Sequence, residues 1–340
     1  MKLYLDSGYI NMRGIIEQGL PFNLIIGGRG TGKTYGALEY VIEDAVKFML
    51  MRRTQKQIDL ISTPELYPFK TLNRDKKWNI VSKSIAKDIS GFYNCTNSEL
   101  KDSPLSGYCC ALSTISNIRG FDGSDIKMLL YDEFIPEIHE RPIKGEAEAF
   151  FNAYETINRN RELEGEKPLQ VIAMSNANTI DNPLFIELGV VSKAAKMKKD
   201  GKEFSIDRNR GLAIYVLDKS KISRKKEETA LYKLTKGSEF ADTNINNEFP
   251  DVDYTNVITR PLVEYTPIVA VGEICIYRHK SNRKFYVSTH KIGSPPYYSS
   301  GYNDLVRYAR KYSWIWLEYL ANNIEFESVL CEVVLTKYHK

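Results

Sequence analysis

The sequence predicts an α/β protein: a core sheet flanked by helices, then a small linker subdomain and a smaller C-terminal α/β domain. Three observations carry this prediction. A glycine-rich turn at residues 27–34 joins an apolar run to a helical pattern. A second apolar run, at residues 126–131, ends in two adjacent acids. A basic segment beginning near residue 190 leads to a β-rich tail from about residue 254.

The glycine-rich turn has the form G-x-x-x-x-G-K-[ST] and directly follows the apolar run Leu24-Ile25-Ile26. In such a strand–turn–helix, successive backbone N–H groups point into one concavity, and the helix N-terminus adds partial positive charge. We therefore predict a P-loop that binds the phosphates of ATP. Lys33 is expected to reach the β- and γ-phosphates, and the Thr34 hydroxyl to hold Mg²⁺. The predicted nucleotide ligands in the turn are Gly27, Gly28, Arg29, Gly30, Thr31, Gly32, Lys33 and Thr34.

The strand that ends in two acids is the natural partner of a phosphate-binding turn. Asp132 at the strand end is expected to hold Mg²⁺, and Glu133 to orient or deprotonate the attacking water. Adjacent acids can take these different tasks because side chains alternate along a strand. The doubled acid favours an ATPase over a kinase that transfers the phosphoryl group to a second substrate.

A third apolar run, at residues 169–174, ends in the polar residues Ser175, Asn176 and Asn178. A strand-end asparagine can hold the lytic water or contact the γ-phosphate, which makes Asn176 a further predicted nucleotide ligand. The alternative is an ordinary turn at the strand end. The first interpretation is favoured because neighbouring strands carry the other catalytic groups.

Two pairs of arginines leave alternatives open. Arg52 and Arg53 end an apolar run, so they lie either near the nucleotide or a subunit boundary, or at a solvated strand end. Arg159 and Arg161 follow an amphipathic helix and are poorly placed to reach the nucleotide of their own subunit. They could enter a neighbour's site as a trans-acting arginine finger, or simply pair with the helix C-terminus. Spacing alone slightly favours the second alternative.

The length of 340 residues exceeds that of most single cores. We expect an ATPase domain at 1–192, a basic linker subdomain at 193–250 and a C-terminal domain at 251–340. Basic stretches at 193–202 and 219–226 suit contacts with a DNA or RNA backbone, or else form a solvated face.

In the C-terminal domain, apolar runs between residues 268 and 288 predict a strand meander, residues 302–312 and 314–321 predict amphipathic helices, and residues 325–335 have mixed β and helical character. The domain shows no acidic cluster that could hold two metals, so nuclease chemistry is not expected there.

Composition favours a reduced, intracellular protein. The five cysteines include no C-x-x-C pair, and the net charge is only +4. Asp6 is an acid at a point where a secretory leader would have its apolar region. No apolar stretch approaches the roughly 20 residues of a membrane-spanning helix. We expect a cytoplasmic protein without a membrane partner.

In their order and spacing, the motifs of this sequence resemble those of the DNA-packaging motor ATPases of small podoviruses with protein-primed linear genomes. Those proteins are relatives of terminase large subunits and FtsK-like translocases. Specific motifs cover roughly the first 190 residues, and the resemblance extends more loosely to the tail. The motifs are the glycine-rich turn, Arg52-Arg53, Arg119-Gly120, Tyr131-Asp132-Glu133-Phe134, Arg159-Asn160-Arg161-Glu162 and Met174-Ser175-Asn176-Ala177.

The resemblance implies a P-loop NTPase core of the ASCE type and a C-terminal, DNA-binding domain like ribonuclease H that has lost its catalytic acids. Lys33, Glu133 and Arg159 would be catalytic, with Arg159 as the arginine finger and Arg161 as its alternative. Thr34 and Asp132 would hold the metal. One departure concerns the lysine that the family places shortly after the Arg-Arg pair, because here Thr54-Gln55 precedes Lys56.

The resemblance also implies partners. The subunits would form a homo-oligomeric ring, pentameric in the family, at the portal (connector) of an empty capsid in the host cytoplasm. ATP hydrolysis around the ring would drive double-stranded viral DNA inward. A packaging RNA is a further partner that this sequence leaves open.

Two other functions compete with the motor. One is a terminase-type ATPase whose tail also cuts DNA. The other is an ATP-dependent assembly switch that does not translocate DNA. The adjacent acids argue against the switch, because they predict hydrolysis.

Overall fold

The computed structural model describes residues 1–63, 66–118, 120–137, 140, 143–176, 180, 182–217, 221–238 and 256–339. The chain forms two compact units. The first comprises Met1–Leu184 and Met197–Pro250, and the second Phe185–Lys196 and Asp251–Lys340. Helices Pro183–Glu187 and Val191–Lys199 lie where the chain passes from one unit to the other.

The first unit is built on a nine-stranded sheet in the order β3-β4-β5-β2-β6-β7-β1-β9-β8. The central strands β5, β2, β6, β7, β1 and β9 are parallel, whereas β3, β4 and β8 join the two edges in antiparallel fashion. The strands are β1 (Phe22–Ile26), β2 (Phe48–Arg52), β3 (Ile80–Ala86), β4 (Ile89–Asn94), β5 (Leu105–Ala111), β6 (Met128–Asp132), β7 (Gln170–Ser175), β8 (Phe204–Asp207) and β9 (Leu212–Val216).

The central strands are continuous apolar runs because helices cover both faces of a parallel sheet. Every residue of β6 is buried, as are Leu24, Ile25 and Ile26 of β1. The helices of this unit are Met12–Ile16, Lys33–Glu43, Gln55–Ile61, Lys70–Lys76, Glu146–Asn158, Lys221–Glu227 and Ala230–Leu234, with 3₁₀ turns at Leu100–Asp102 and Leu112–Ile118. The register pairs Ile26 with Ser175 and Asp132 with Met174, so β1, β6 and β7 end at one edge of the sheet.

Strands β8 and β9 fall inside the segment predicted as a linker subdomain, residues 193–250. They extend the first sheet instead, because β9 pairs in parallel with β1 and its five residues are all buried. The sequence indicates a β-prone run at residues 211–217, but the basic stretches on either side favoured a separate linker, because the pairing of this run with β1 could not be known. The domain boundaries at residues 192 and 250 stay predictions.

The second unit contains a five-stranded sheet in the order β13-β10-β11-β12-β14. The first three strands along the chain form the predicted antiparallel meander, while β13 and β14 add in parallel at the two edges. The strands are β10 (Tyr265–Val271), β11 (Ile274–His279), β12 (Phe285–Ser288), β13 (Tyr297–Tyr298) and β14 (Ile324–Phe326). A short 3₁₀ turn, Leu262–Glu264, precedes them, and helices Tyr302–Lys311, Ser313–Leu320 and Val329–His339 complete the unit.

The predicted α/β class is confirmed, with a large, mostly parallel sheet and a second sheet in the C-terminal region. Within the described ranges, no helix has the length and apolar character needed to cross a membrane.

Candidate nucleotide-binding site

The glycine-rich turn connects β1 to helix Lys33–Glu43. Gly32 is the N-cap of that helix with φ +88°, a left-handed conformation that glycine adopts without steric cost. At Gly27 the restriction is space, since a Cβ there would lie 2.6 Å from the Cβ of Leu217. Glycine is required at these two positions for different reasons, one conformational and one steric.

Lys33 is buried at the start of the helix and is held over the turn. Its ammonium donates to the carbonyl oxygens of Gly27 and Gly28, each at 2.9 Å. Burial lowers the pKa of Lys33 to about 8, although the negative charge of Asp132 acts in the opposite direction. Thr31 braces the same turn by donating from its hydroxyl to the Gly28 carbonyl at 3.1 Å.

Thr34 and Asp132 meet directly, although they lie far apart in the sequence. The Thr34 hydroxyl donates to Oδ1 of Asp132 at 2.9 Å, and Asp132 is buried at the end of β6. Hydroxyl and carboxylate oxygens are suitable ligands for Mg²⁺, which takes few protein ligands and keeps positions for phosphate and water. Among the residues that the structure describes, no three histidines, cysteines or acids lie close enough to form a dedicated metal cluster. The pair fits a magnesium ion that is shared with a nucleotide.

Glu133 follows β6 in a left-handed conformation, with φ +56°. Such a backbone is costly for a residue with a Cβ and is typical of functional sites. Its N–H donates to the carbonyl of Met174 at 2.7 Å, which fixes the acid against β7. The side chain is 45% exposed, and its partial burial raises the pKa of Glu133 while Arg52 acts to lower it. The two adjacent acids therefore differ in burial and in backbone conformation.

Arg52 bridges both acids. Its Nη2 lies 2.7 Å from Oδ2 of Asp132, and its Nη1 lies 3.2 Å from Oε2 of Glu133. With its side chain only 18% exposed, Arg52 is not at a solvated strand end. Sequence reasoning left this role open because the neighbour of β2 in the sheet could not be known. The pairing of β2 with β6 brings the three side chains together.

Arg53, the next residue along the chain, pairs with two other acids, Glu140 and Glu146. Its Nε and Nη2 bind the two oxygens of Glu146 at 2.6 and 2.9 Å, and its Nη1 binds Glu140 at 2.8 Å. The guanidinium is completely buried, and Glu146 is nearly so. Arg53 therefore fastens helix Glu146–Asn158 to the end of β2.

We expect Arg53→Met to lower the free energy of unfolding by about 3–5 kcal/mol, because it leaves Glu146 charged and buried without its partner. Urea unfolding followed by circular dichroism measures this. The matched control is Arg74→Met, whose side chain is 77% exposed and whose loss should change stability by no more than about 0.5 kcal/mol. Equal stability of the two variants would contradict this role of Arg53.

A cavity of about 370 Å³ lies between the glycine-rich turn and the paired acids. Its lining includes most of the predicted ligands, and Asn176 faces it from the end of β7. Arg29 forms an ion pair with Glu137, another lining residue. Asn178, the other predicted amide, lies outside the described residues. The lining residues are Arg29, Gly30, Gly32, Lys33, Thr34, Tyr35, Asp132, Glu133, Glu137, Ser175 and Asn176.

Arg159 and Arg161 are not among the residues that line this cavity. Arg159 ends helix Glu146–Asn158 with φ +51°, and its Nη2 donates to the Phe121 carbonyl at 2.8 Å. Its side chain is 47% exposed. Arg161 is buried instead, and its Nη2 donates to the carbonyls of Gly123 and Ser124 at 2.8 and 3.0 Å. The two arginines thus have different environments.

Comparison with known proteins identifies relatives among phage packaging proteins. The DNA packaging protein of Bacillus phage phi29 is 24% identical over 248 residues, which is 72% of this chain and 66% of that protein. The DNA packaging protein of Bacillus phage B103 is 27% identical over 240 residues, 67% of this chain and 64% of that protein. The matched region thus spans somewhat less than two thirds of these relatives.

The fold is shared with a chain of the bacteriophage phi29 viral genome packaging motor assembly. The two agree with a TM-score of 0.69 at 18% identity, over 98% of this chain and 100% of that one. A family model described as podovirus DNA encapsidation protein matches residues 5–272, which confirms the resemblance seen in the motifs. Because that match covers well over half of its length, the chain belongs to the podovirus DNA encapsidation protein family.

Proposed function

We propose that the chain is an ATPase of a ring-shaped motor that moves double-stranded viral DNA into an empty capsid through the portal. The observation that carries the proposal is the 2.9 Å contact between Thr34 and Asp132, which joins the phosphate-binding turn to the paired acids. Lys33, Glu133 and Asn176 border the same cavity. The two relatives are described as DNA packaging proteins, which supports DNA as the substrate of the proposed motor.

Each residue of the site has a task in hydrolysis. The turn and Lys33 would bind the phosphates, while Thr34 and Asp132 would hold Mg²⁺, which when bound neutralises charge on the phosphate oxygens. Glu133 would accept the proton of the attacking water, and Asn176 would position that water or contact the γ-phosphate. Arg52, which pairs with both carboxylates, would hold Asp132 and Glu133 in position.

The catalytic set is completed from a neighbouring subunit. Arg159 is half exposed and lies outside its own cavity, as a trans-acting finger requires, whereas Arg161 is buried and bonded to its own backbone. These surroundings support Arg159 over Arg161 as the finger. The proposal thus includes a homo-oligomeric ring, pentameric as in the family resemblance.

The proposed partners are double-stranded DNA, the portal protein and, as a further candidate, a packaging RNA. Basic stretches at 193–202 and 219–226 are the proposed sites of backbone contact with DNA. The C-terminal unit would bind DNA without cutting it. The motor would act in the host cytoplasm, transiently at the portal vertex of the capsid.

Lys33→Ala tests the nucleotide site. We expect it to weaken binding of Mg²⁺–ATP by about 10- to 100-fold, because charge-assisted hydrogen bonds to phosphate contribute roughly 1.5–3 kcal/mol. Isothermal titration of the full chain measures the affinity. The control is Lys83→Ala, on the exposed part of β3, which should bind like the wild type. Unchanged affinity in the Lys33 variant would place the nucleotide elsewhere.

A further inference from the structure

A second lysine reaches the glycine-rich turn from far along the chain. Lys226 lies in helix Lys221–Glu227, in the segment that follows β9. Its ammonium donates to the backbone carbonyl of Arg29, in the middle of the turn. None of the sequence motifs included this residue, which stood only in a basic stretch.

The position of Lys226 over the turn is closely defined. A Cβ built on Gly30 would lie 2.6 Å from Nζ of Lys226 and 2.8 Å from its Cε, so the side chain fills the space above that glycine. On another side, the ring of the buried Tyr232 lies 6.0 Å from Nζ. The ammonium therefore lies between the tyrosine and Gly30, which lines the nucleotide cavity, while Lys226 itself is not among the lining residues.

Positive charge is therefore concentrated at this turn. Arg29, Lys33 and Lys226 surround it, and the positive charge of Lys226 contributes to the low pKa of Lys33. Arg29 is paired with Glu137. Within the part of the chain that the structure describes, no carboxylate lies within ion-pair distance of Lys226, whose own pKa is lowered by burial and by Arg29. Backbone N–H groups and unpaired cations at one turn suit a ligand with several phosphates.

We propose that Lys226 is a second lysine ligand of the nucleotide phosphates, contributed by the basic stretch after β9. This inference rests on the proposed ATP site and adds a residue to it. A di- or triphosphate in the turn would draw Lys226 from the Arg29 carbonyl to a phosphate oxygen. Helix Lys221–Glu227, which already contacts the turn through Lys226, would then be held more firmly while such a nucleotide is bound. Because this helix belongs to a stretch proposed to contact DNA, the nucleotide would influence that contact.

The test is the affinity of the full chain for Mg²⁺ with a non-hydrolysable ATP analogue. Lys226→Met removes the charge but keeps the packing against Tyr232, and we expect about tenfold weaker binding. Lys226→Gln serves as a second neutral variant should the first fold poorly. Lys226→Arg keeps the charge and should bind within about threefold of wild type. The matched control is Lys233→Met, an exposed lysine next to Tyr232, with unchanged affinity expected.

Hydrogen exchange is the second readout. At saturating analogue, exchange of the amides in residues 221–227 should slow in the wild type and stay unchanged in Lys226→Met. Equal affinity and equal protection in wild type and Lys226→Met would overturn the inference, as would a loss in Lys226→Arg as large as that in Lys226→Met. Failure of the wild type to bind the analogue would refute the proposed function itself, which distinguishes the two failures.

Discussion

Glu133→Gln is expected to reduce ATP hydrolysis by about 10²- to 10⁴-fold while ATP binding stays close to wild type. Glutamine keeps the size of the side chain but cannot accept the proton of the attacking water. Binding survives because the turn, Lys33 and the Thr34–Asp132 pair are untouched. Phosphate release in the assembled protein and equilibrium binding of ATP measure the two effects separately.

Glu155→Gln is the control for this experiment. Glu155 is exposed on helix Glu146–Asn158 and does not line the cavity, so its loss should leave hydrolysis unchanged. Near-normal hydrolysis in Glu133→Gln would show that another group takes the proton. The division of tasks between the two adjacent acids would then be wrong.

Arg159→Ala is expected to lower hydrolysis in the assembled ring by about 10³-fold or more, the range typical of arginine fingers. ATP binding to isolated subunits should remain, because Arg159 lies outside their own cavity. Mixing Arg159→Ala with Lys33→Ala subunits should restore part of the activity that each variant lacks alone, because an Arg159→Ala subunit keeps its own phosphate-binding lysine and can receive the finger of a Lys33→Ala neighbour. Hydrolysis rates across a series of mixing ratios measure this effect.

Arg161→Ala tests whether Arg161 has a structural role or could be the arginine finger. Arg161 holds the Gly123 and Ser124 carbonyls from a buried position, so its loss should mainly destabilise the fold. Full activity of an assembled Arg159→Ala ring would exclude Arg159 as the finger. No recovery of hydrolysis at any mixing ratio of Arg159→Ala with Lys33→Ala subunits would contradict completion of the site from a neighbouring subunit.

The residues that the sequence could predict belong to short, continuous motifs. The turn at 27–34 and the acids at the end of β6 are recognisable because each function depends on local order along one strand–turn–helix or one strand. Asn176 was predicted in the same way, from the end of β7. The structure brings these three segments to one cavity because their strands are parallel and end at the same edge.

The residues that could not be predicted depend on which strands are neighbours. Arg52 and Arg53 are adjacent in sequence, yet one bridges the acids and the other is buried with Glu146. That difference follows from the pairing of β2 with β6 and from the alternation of side chains along a strand. Lys226 is a similar case, because it reaches the turn only after β9 pairs with β1. No local pattern encodes such contacts between distant segments.

The C-terminal unit was more predictable in its elements than in their order. Short apolar runs separated by turns predicted the meander β10-β11-β12, and amphipathic spacing predicted the helices after it. The mixed pattern at 325–335 became a short strand, β14, and the helix Val329–His339. The parallel pairing of β14 with β12 joins segments separated by two helices, so no local pattern signalled it.

We propose that ATP hydrolysis at this site drives DNA into a capsid. The most direct measurement is nuclease protection of double-stranded DNA in a mixture of the full chain, empty capsids with their portal, and Mg²⁺–ATP. We expect protected DNA with the wild type and none with Glu133→Gln, although that variant still binds ATP. Equal protection with Glu133→Gln, or ATP hydrolysis by assembled wild type without any protected DNA, would contradict it.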